Sequence, residues 1–317
     1  MIRTQSYPPL HGDPDALSGD KTAMAVLRSN LVGRALSRRG VLRAAGVGAG
    51  AAGVTLLGAG SAKASTPVPQ ETGATPAVQN GALTVVLVHG AWADGSSWSG
   101  VIGPMRAAGL PVIAPANPLR SLSSDSAYIA SVVRNIPGPV LLVGHSYGGA
   151  VITNAASQAD NVVGLVYVAA FIPDEGESIQ DLAGQATDSL LGPALRPAPF
   201  VAAEGQKPGT EFFIDPASFH EVFCADLPAD RATEMAVTQR PAADVAFGEP
   251  TTRAAWKTLP SWAVVATADK AIGASGSRLM AKRAGSTTVE VDASHVVMLS
   301  RPQTVIDAIQ TAITSLS

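Results

Sequence analysis

From Leu83 onward, short runs of apolar, largely β-branched residues alternate with longer stretches whose apolar positions recur at helical spacing. The apolar runs predict strands over residues 84–89, 111–114, 140–144, 163–169, 262–266 and 287–291. These runs are continuous, not alternating, the pattern of a strand covered on both faces. Between them the spacing predicts helices over 97–108, 124–135, 148–159, 274–284 and 302–314. Strands and helices in alternation argue for an α/β protein with a doubly wound, mostly parallel six-stranded sheet.

One stretch breaks the alternation. Between Phe171 and Ser261 no buried-strand run occurs, only turn clusters and two helix-like segments, 228–239 and 251–259. All seven phenylalanines of the chain (171, 200, 212, 213, 219, 223, 247) fall in this stretch. A segment that interrupts a sheet and owns every Phe reads as a cap, inserted at about 172–260, with its own apolar interior. Most of those rings are expected to hold the cap together, and some to face a ligand.

Composition sharpens this in three ways. Of 317 residues, 46% are hydrophobic and 15% charged, enough apolar side chain for a sizeable core and too little charge for a disordered chain. Residues 1–64 carry eight Lys/Arg against three Asp/Glu, while the remainder carries 14 against 22. The acidic remainder lacks the electrostatic footprint for nucleic acid or an anionic membrane. The single cysteine, Cys224, excludes an intramolecular disulfide and a Cys-clustered metal site, so no metal and no cofactor are expected.

The basic leader has a recognisable plan. Arg38-Arg39-Gly40-Val41-Leu42 precedes a Gly/Ala-rich run and then Ala62-Lys63-Ala64-Ser65, a small-residue cleavage pattern. The arginine pair resembles the twin-arginine export signal, with Val41 where that motif usually has Phe. Six glycines between Ala44 and Ala62 argue against a membrane-spanning helix. The expectation is a signal peptide over 1–64, read by the twin-arginine export machinery and removed near Ser65. A flexible tail over 65–82 and one globular domain over 83–317 would follow, in an exported protein. Met1 and Met24 are both candidate starts.

The chemistry centres on Gly144-His145-Ser146-Tyr147-Gly148, which follows one predicted strand and opens the next predicted helix. G-x-S-x-G in that setting is a nucleophile elbow: small neighbours let strand and helix approach, and the hydroxyl is aimed out of the sheet. A serine nucleophile needs a base, and the base an orienting carboxylate. His89, His145, His220 and His295 are the histidines after the leader. His295, just past the last strand, fits the chain order serine, acid, histidine. Asp269, after the preceding strand, is the favoured acid; Asp174 is its rival, and Asp292 lies too close along the chain to His295. Backbone N–H groups of Ala91 and Tyr147 are the candidate oxyanion donors. Trp92 and Phe171 are candidate substrate contacts, whereas Trp98 is expected to pack in the core.

These motifs carry a resemblance. Residues 83–317 resemble the α/β-hydrolases of the branch containing plant methyl esterases and hydroxynitrile lyases, with their bacterial esterase relatives. The likeness runs through HGAWADGSSW (89–98), GHSYGGAVI (144–152), AAFIPDEGES (169–178), TADKAI (267–272) and SHVVMLSRP (294–302). It implies six parallel strands without the first hairpin of the larger fold. It also implies Ser146 as nucleophile, Asp269 as acid, His295 as base and Ala91 and Tyr147 as oxyanion donors. Lyases of the branch carry Thr after the first-strand His and Lys after the catalytic His, where this chain has Gly90 and Val296. A cyanide leaving group wants a nearby cation, so a serine esterase acting on small to medium apolar carboxylic esters is the expectation. A dehalogenase is excluded because its nucleophile is Asp. Lyase-like or cofactor-free perhydrolase activity, or a ligand receptor of the same fold, are the open alternatives.

Overall fold

The structure is a computed structural model and describes residues 81–201 and 207–317. The leader with its Arg38–Arg39 pair, and the tail as far as residue 80, lie outside the described residues. Six strands form one parallel sheet in the order β2-β1-β3-β4-β8-β9. They are β1 (Thr84–Val88), β2 (Val112–Ile113), β3 (Val140–Ser146), β4 (Val162–Ala170), β8 (Ser261–Ala266) and β9 (Thr287–Val291). Every residue of β1 and β3 is buried, as the continuous apolar runs require. The two edges differ from that pattern: β2 shrinks to two residues and four of the five residues of β9 are exposed. An edge strand has only one neighbour, and shortness blunts its unpaired side.

The chain leaves β1 toward β2 and returns on β1's other side to β3. A strand order that reverses in this way opens a crevice at the carboxyl ends of the two diverging strands. Both faces of the sheet are covered by helices: α1 (Ser99–Ala107), α2 (Leu122–Arg134), α3 (Tyr147–Ala155), α9 (Ala274–Arg283) and α10 (Pro302–Leu316). All nine residues of α3 are buried, so this helix lies inside the domain and not on its surface. Among the described residues no helix is long and apolar enough to cross a membrane.

Between β4 and β8 the chain builds a second layer that the sequence pattern only partly predicts. Three antiparallel strands, β5 (Leu195–Phe200), β6 (Gly209–Ile214) and β7 (Ala242–Ala243), stand in the order β5-β6-β7. Short helices accompany them: α4 (Ile179–Ala183), α5 (Leu191–Ala194), α6 (Pro216–Phe223), α7 (Ala229–Thr238) and α8 (Asp244–Gly248). Strand β5 carries Pro197 and Pro199, which hide a strand from pattern reading but are tolerated at an edge. The helix expected over 251–259 is only a 3₁₀ turn, Ala255–Lys257. Ala254 breaks the helical run, with φ −96° and ψ 85°, while the preceding N–H groups of Thr251 and Thr252 are anchored on Glu177 O at 2.8 Å and Asn154 Oδ1 at 3.0 Å.

Candidate active site

Ser146 sits at the turn from β3 into α3 with φ 53° and ψ −123°, a conformation that a non-glycine residue holds only when its surroundings enforce it. Those surroundings are backbone packed on backbone. A Cβ on Gly144 would lie 2.5 Å from Gly148 O, one on Gly148 2.4 Å from Val88 O, and one on Gly149 2.4 Å from Phe171 O. The turn after β1 closes in from the other side, where a Cβ on Gly90 would lie 2.6 Å from Ser146 Cβ. Tyr147 is the first residue of α3, where N–H groups lack intrahelical acceptors and carry the positive end of the helix dipole. Ala91, one residue past Gly90, is fully buried in the turn beside it.

His295 and Asp269 meet, as their chain order suggests. His295 Nδ1 donates to Asp269 Oδ2 at 2.8 Å, with the two side chains 1% and 0% exposed. The other Asp269 oxygen accepts N–H bonds from Ala271 at 2.7 Å and Ile272 at 3.0 Å. The two loops that carry the pair are laced together: Thr267 N–H donates to Val291 O at 2.9 Å and Ala268 N–H to Ala293 O at 3.1 Å. His295 Nε2 is buried and makes no hydrogen bond, to Ser146 included. In a structure without substrate such catalytic bonds are often long or unmade.

Two further groups hold the histidine loop, and sequence reasoning missed both. His145 lies with its ring 4.7 Å from that of His295 and donates from Nε2 to the His295 carbonyl at 3.0 Å. Burial, then the neighbouring His295, push the His145 pKa well below its ordinary value, so its imidazole is neutral. From the cap, Asp226 accepts the Ser294 N–H at 3.0 Å and the Ser294 hydroxyl. Burial alone would raise the Asp226 carboxyl, but the bonds from Ser294 hold it below its ordinary value. The only sequence signals were adjacency, of His145 to Ser146 and of Ser294 to His295.

The remaining candidates fall elsewhere. Asp174 is partly exposed and paired with Lys257, whose hydrogen bond holds its carboxyl below the ordinary value. Asp292 is exposed. His220 bonds to Leu227 O at 2.9 Å within the cap. Trp98 is fully buried, edge-on to His145 with ring centroids 6.3 Å apart. Among the described residues no cluster of three or more His, Cys, Asp or Glu side chains is placed to hold a metal ion.

An aromatic wall borders the His295 side of the site. The Phe223 ring lies 5.1 Å from that of His295 and edge-on to Trp92 at 6.3 Å. Trp92 stacks on Phe247 at 5.7 Å and donates its indole N–H to Phe212 O at 2.7 Å. Phe171 stands apart from this wall; its backbone N–H donates to Ser146 O at 3.2 Å, tying the end of β4 to the elbow. Ser146 and Asp269 are each 3% exposed and His295 0%, so the wall and cap close over the site.

A parallel sheet with a serine elbow after its central strand, and a buried Asp–His pair after the last two strands, defines the α/β-hydrolase class. Residues 85–308 match the model of the Alpha/beta hydrolase family, and the chain belongs to that family. A carbendazim hydrolyzing esterase from Nocardioides sp. (strain SG-4G) is 36% identical over 110 residues, a match covering 31% of this chain and 46% of that protein. The chain thus spans less than half the length of this curated relative. Among solved structures, a pyrethroid hydrolase from Sphingobium faniae JZ-2 superposes with a TM-score of 0.59 at 23% identity, covering 72% of this chain and 96% of that one. Polyneuridine aldehyde esterase gives 0.62 at 19% identity, covering 73% and 99%. Tomato methylketone synthase I, complexed with 2-tridecanone, gives 0.60 at 18% identity, covering 74% and 99%. At these identities the likeness establishes a common fold.

Proposed function

We propose that the chain is a serine hydrolase that cleaves small to medium apolar carboxylic esters through an acyl-enzyme. The observation that carries this reading is the buried His295–Asp269 bond of 2.8 Å in the same cluster as a serine held in a strained elbow. In the proposed cycle Ser146 Oγ attacks the ester carbonyl carbon while its proton passes to His295 Nε2. The carbonyl oxygen becomes an oxyanion, held by the N–H groups of Ala91 and Tyr147. Collapse breaks the ester C–O bond, and the leaving alcohol takes the proton from His295. Water, deprotonated by the same histidine, then attacks the acyl-serine and releases the acid. Asp269 fixes the histidine with Nδ1–H toward the carboxylate and stabilises the imidazolium as it forms.

The apolar substrate class follows from the wall of Trp92, Phe223 and Phe247, which offers rings and no charged group. Relatives described as hydrolysing carbendazim and pyrethroids are in keeping with small-molecule substrates. Gly90 and Val296, in place of Thr and Lys, favour the esterase over the lyase of this branch. Export through the twin-arginine route, with removal of residues up to Ala64, belongs to the same proposal. The test is turnover of a panel of p-nitrophenyl esters by protein beginning at Ser65. Ser146→Ala should lower turnover about 10⁶-fold in a folded protein. Near-native turnover by that variant would overturn the assignment.

A further inference from the structure

The two proposed oxyanion donors sit on different parts of the chain, Ala91 on the turn after β1 and Tyr147 at the start of α3. One segment, residues 117–125, which ends the β2–α2 loop and forms the first turn of α2, grips both parts. Asn117 donates its backbone N–H to His89 Nε2 at 2.9 Å and its side-chain amide to His89 O at 3.0 Å. Because Nε2 accepts, the His89 proton is on Nδ1, which donates to Gly90 O at 2.9 Å. His89, two residues before Ala91, is therefore pinned on both ring nitrogens and its carbonyl. Eight residues after Asn117, Asp125 accepts the Tyr147 hydroxyl at 2.8 Å. Asp125 is itself held by the Arg120 N–H at 3.1 Å and the Ser124 hydroxyl at 3.2 Å. Asn117, Asp125 and His89 are all 0% exposed and Tyr147 1%.

The segment between these grips has a fixed shape. Leu119 adopts φ 61°, a strained conformation that a non-glycine residue keeps only when its surroundings enforce it. Its carbonyl accepts the Ala243 N–H from β7 at 3.0 Å. Burial also pushes the His89 pKa down to about 4, so its ring stays neutral and keeps the same donor and acceptor atoms across the working pH range.

We propose that the 117–125 segment is the spacer that sets the separation of the two oxyanion-binding N–H groups, Asn117 holding the Ala91 turn through His89 and Asp125 holding the elbow through Tyr147. Both are positioning residues, since neither touches the substrate. The inference rests on the ester-hydrolase reading above. An oxyanion hole works only when its donors are about 3 Å from where the charge develops, so a small drift costs rate without costing substrate binding.

Three readouts test it: kcat and KM on a p-nitrophenyl ester, affinity for a trifluoromethyl ketone whose hemiketal oxygen occupies the hole, and thermal melting. Tyr147→Phe removes one hydroxyl and keeps the ring and the backbone donor; Asn117→Ala removes the amide grip. Each should lower kcat about tenfold and weaken the trifluoromethyl ketone by the same factor, with KM unchanged. Asp125→Asn, which keeps an oxygen to accept the phenol, should recover most of what Asp125→Leu loses. Wild-type kcat and ketone affinity in a folded Tyr147→Phe variant would overturn the proposal, as would a loss confined to KM or to melting temperature. Should Asn117→Ala fail to fold, Tyr147→Phe decides alone. A wild-type protein that neither turns over esters nor is labelled at Ser146 by a fluorophosphonate removes the parent reading and this proposal with it; an active wild type with unaffected variants removes this proposal only.

Discussion

Around Ser146 the chain is fixed by backbone packed on backbone, whereas across the site the cap is fixed by rings and a few long-range bonds. On the sheet side a single added methyl at Gly148 would meet Val88 O at 2.4 Å, and the backbone carbonyl of a buried strand cannot step aside. On the cap side a Cβ at Gly209 would meet the Phe200 ring at 2.8 Å, a side chain that can rotate away. The wall of Trp92 and Phe247 has its ring centroids 5.7 Å apart, in ordinary stacking contact. On the proposed hydrolase reading, the contrast separates two jobs. Reaction geometry demands placement within a few tenths of an ångström and is set where nothing can adjust; substrate choice is set where repacking is tolerated.

The sharpest test of this division compares two carboxylates, one on each side. Asp269 is locked in the loop after β8 by His295, Ala271 and Ile272, while Asp174 stands on Lys257 in the segment after β4. Replacing an orienting Asp by Asn leaves the shape but favours the wrong histidine tautomer, which in a serine protease costs about 10⁴ in kcat. Asp269→Asn should suffer a loss of that order and Asp174→Asn less than about twofold. If Asp174→Asn is the crippled variant, the acid lies on the earlier strand and the comparison collapses.

A second pair probes the packing itself. Gly148→Ala forces backbone movement and should destabilise the fold by about 3 kcal/mol or more, read as a fall in urea midpoint or as insoluble protein. Gly209→Ala, against a movable ring, should cost less than about 1 kcal/mol. Gly103, inside α1 with nothing within 4 Å of an added Cβ, should gain up to about 1 kcal/mol on becoming Ala. Equal losses at Gly148 and Gly209 would show the two regions to be equally rigid.

The same contrast explains what could be read from the sequence. The elbow was legible because local sterics write themselves as glycines at fixed spacing around Ser146. The β3, β4 and β8 runs were legible because burial on both faces leaves no polar position. Strand order was enough to prefer Asp269 to Asp174 as the partner of His295. The cap sheet was not legible: β5 is partly exposed, carries two prolines, and pairs antiparallel with β6, whose own residues are only partly buried. Nor does anything in the local sequence forbid the helix expected over 251–259, which the non-helical backbone of Ala254 interrupts and whose first residues are anchored on Glu177 and Asn154. His145 and Asp226 reach the His295 loop across 150 and 68 residues of sequence, contacts that only the folded chain defines.

Acid should find the sheet side first. Burial pushes the His89 pKa down to about 4, and burial likewise pushes His145 well below its ordinary value, against about 6.5 in an unfolded chain. Between pH 6.5 and 4 the unfolded chain therefore binds more protons than the folded one, and stability falls as pH falls through that window. Burial raises the Asp125 carboxyl, which acts in the opposite sense by taking up a proton in the folded state above its unfolded pKa. His89 alone accounts for a loss of about 2 kcal/mol between pH 7 and 4.5 and His145 adds to it, so the urea midpoint should fall across that window. A flat profile would mean that His89 is protonated in the fold and that its Nε2 cannot accept from Asn117.

The smallest effect belongs to the cap, and it should appear as selectivity before stability. Phe247 is half-buried on α8, stacked on Trp92 and edge-on to Tyr147 at 5.9 Å, so its ring touches both the wall and the elbow helix. Phe247→Leu keeps apolar volume and removes the aromatic pairing, worth about 0.5–1.5 kcal/mol. That energy is shared between packing of the cap and contact with substrate, so neither can lose more than about tenfold. The expected result is a change of about three- to tenfold in the ratio of kcat/KM for an aromatic over an aliphatic p-nitrophenyl ester, with a drop in melting temperature of a few degrees at most. The paired substrates matter, because a cap merely loosened would lower both kcat/KM values by one factor and leave their ratio fixed. A fixed ratio would place the selectivity elsewhere and reduce the Trp92–Phe247 stack to a strut of the cap.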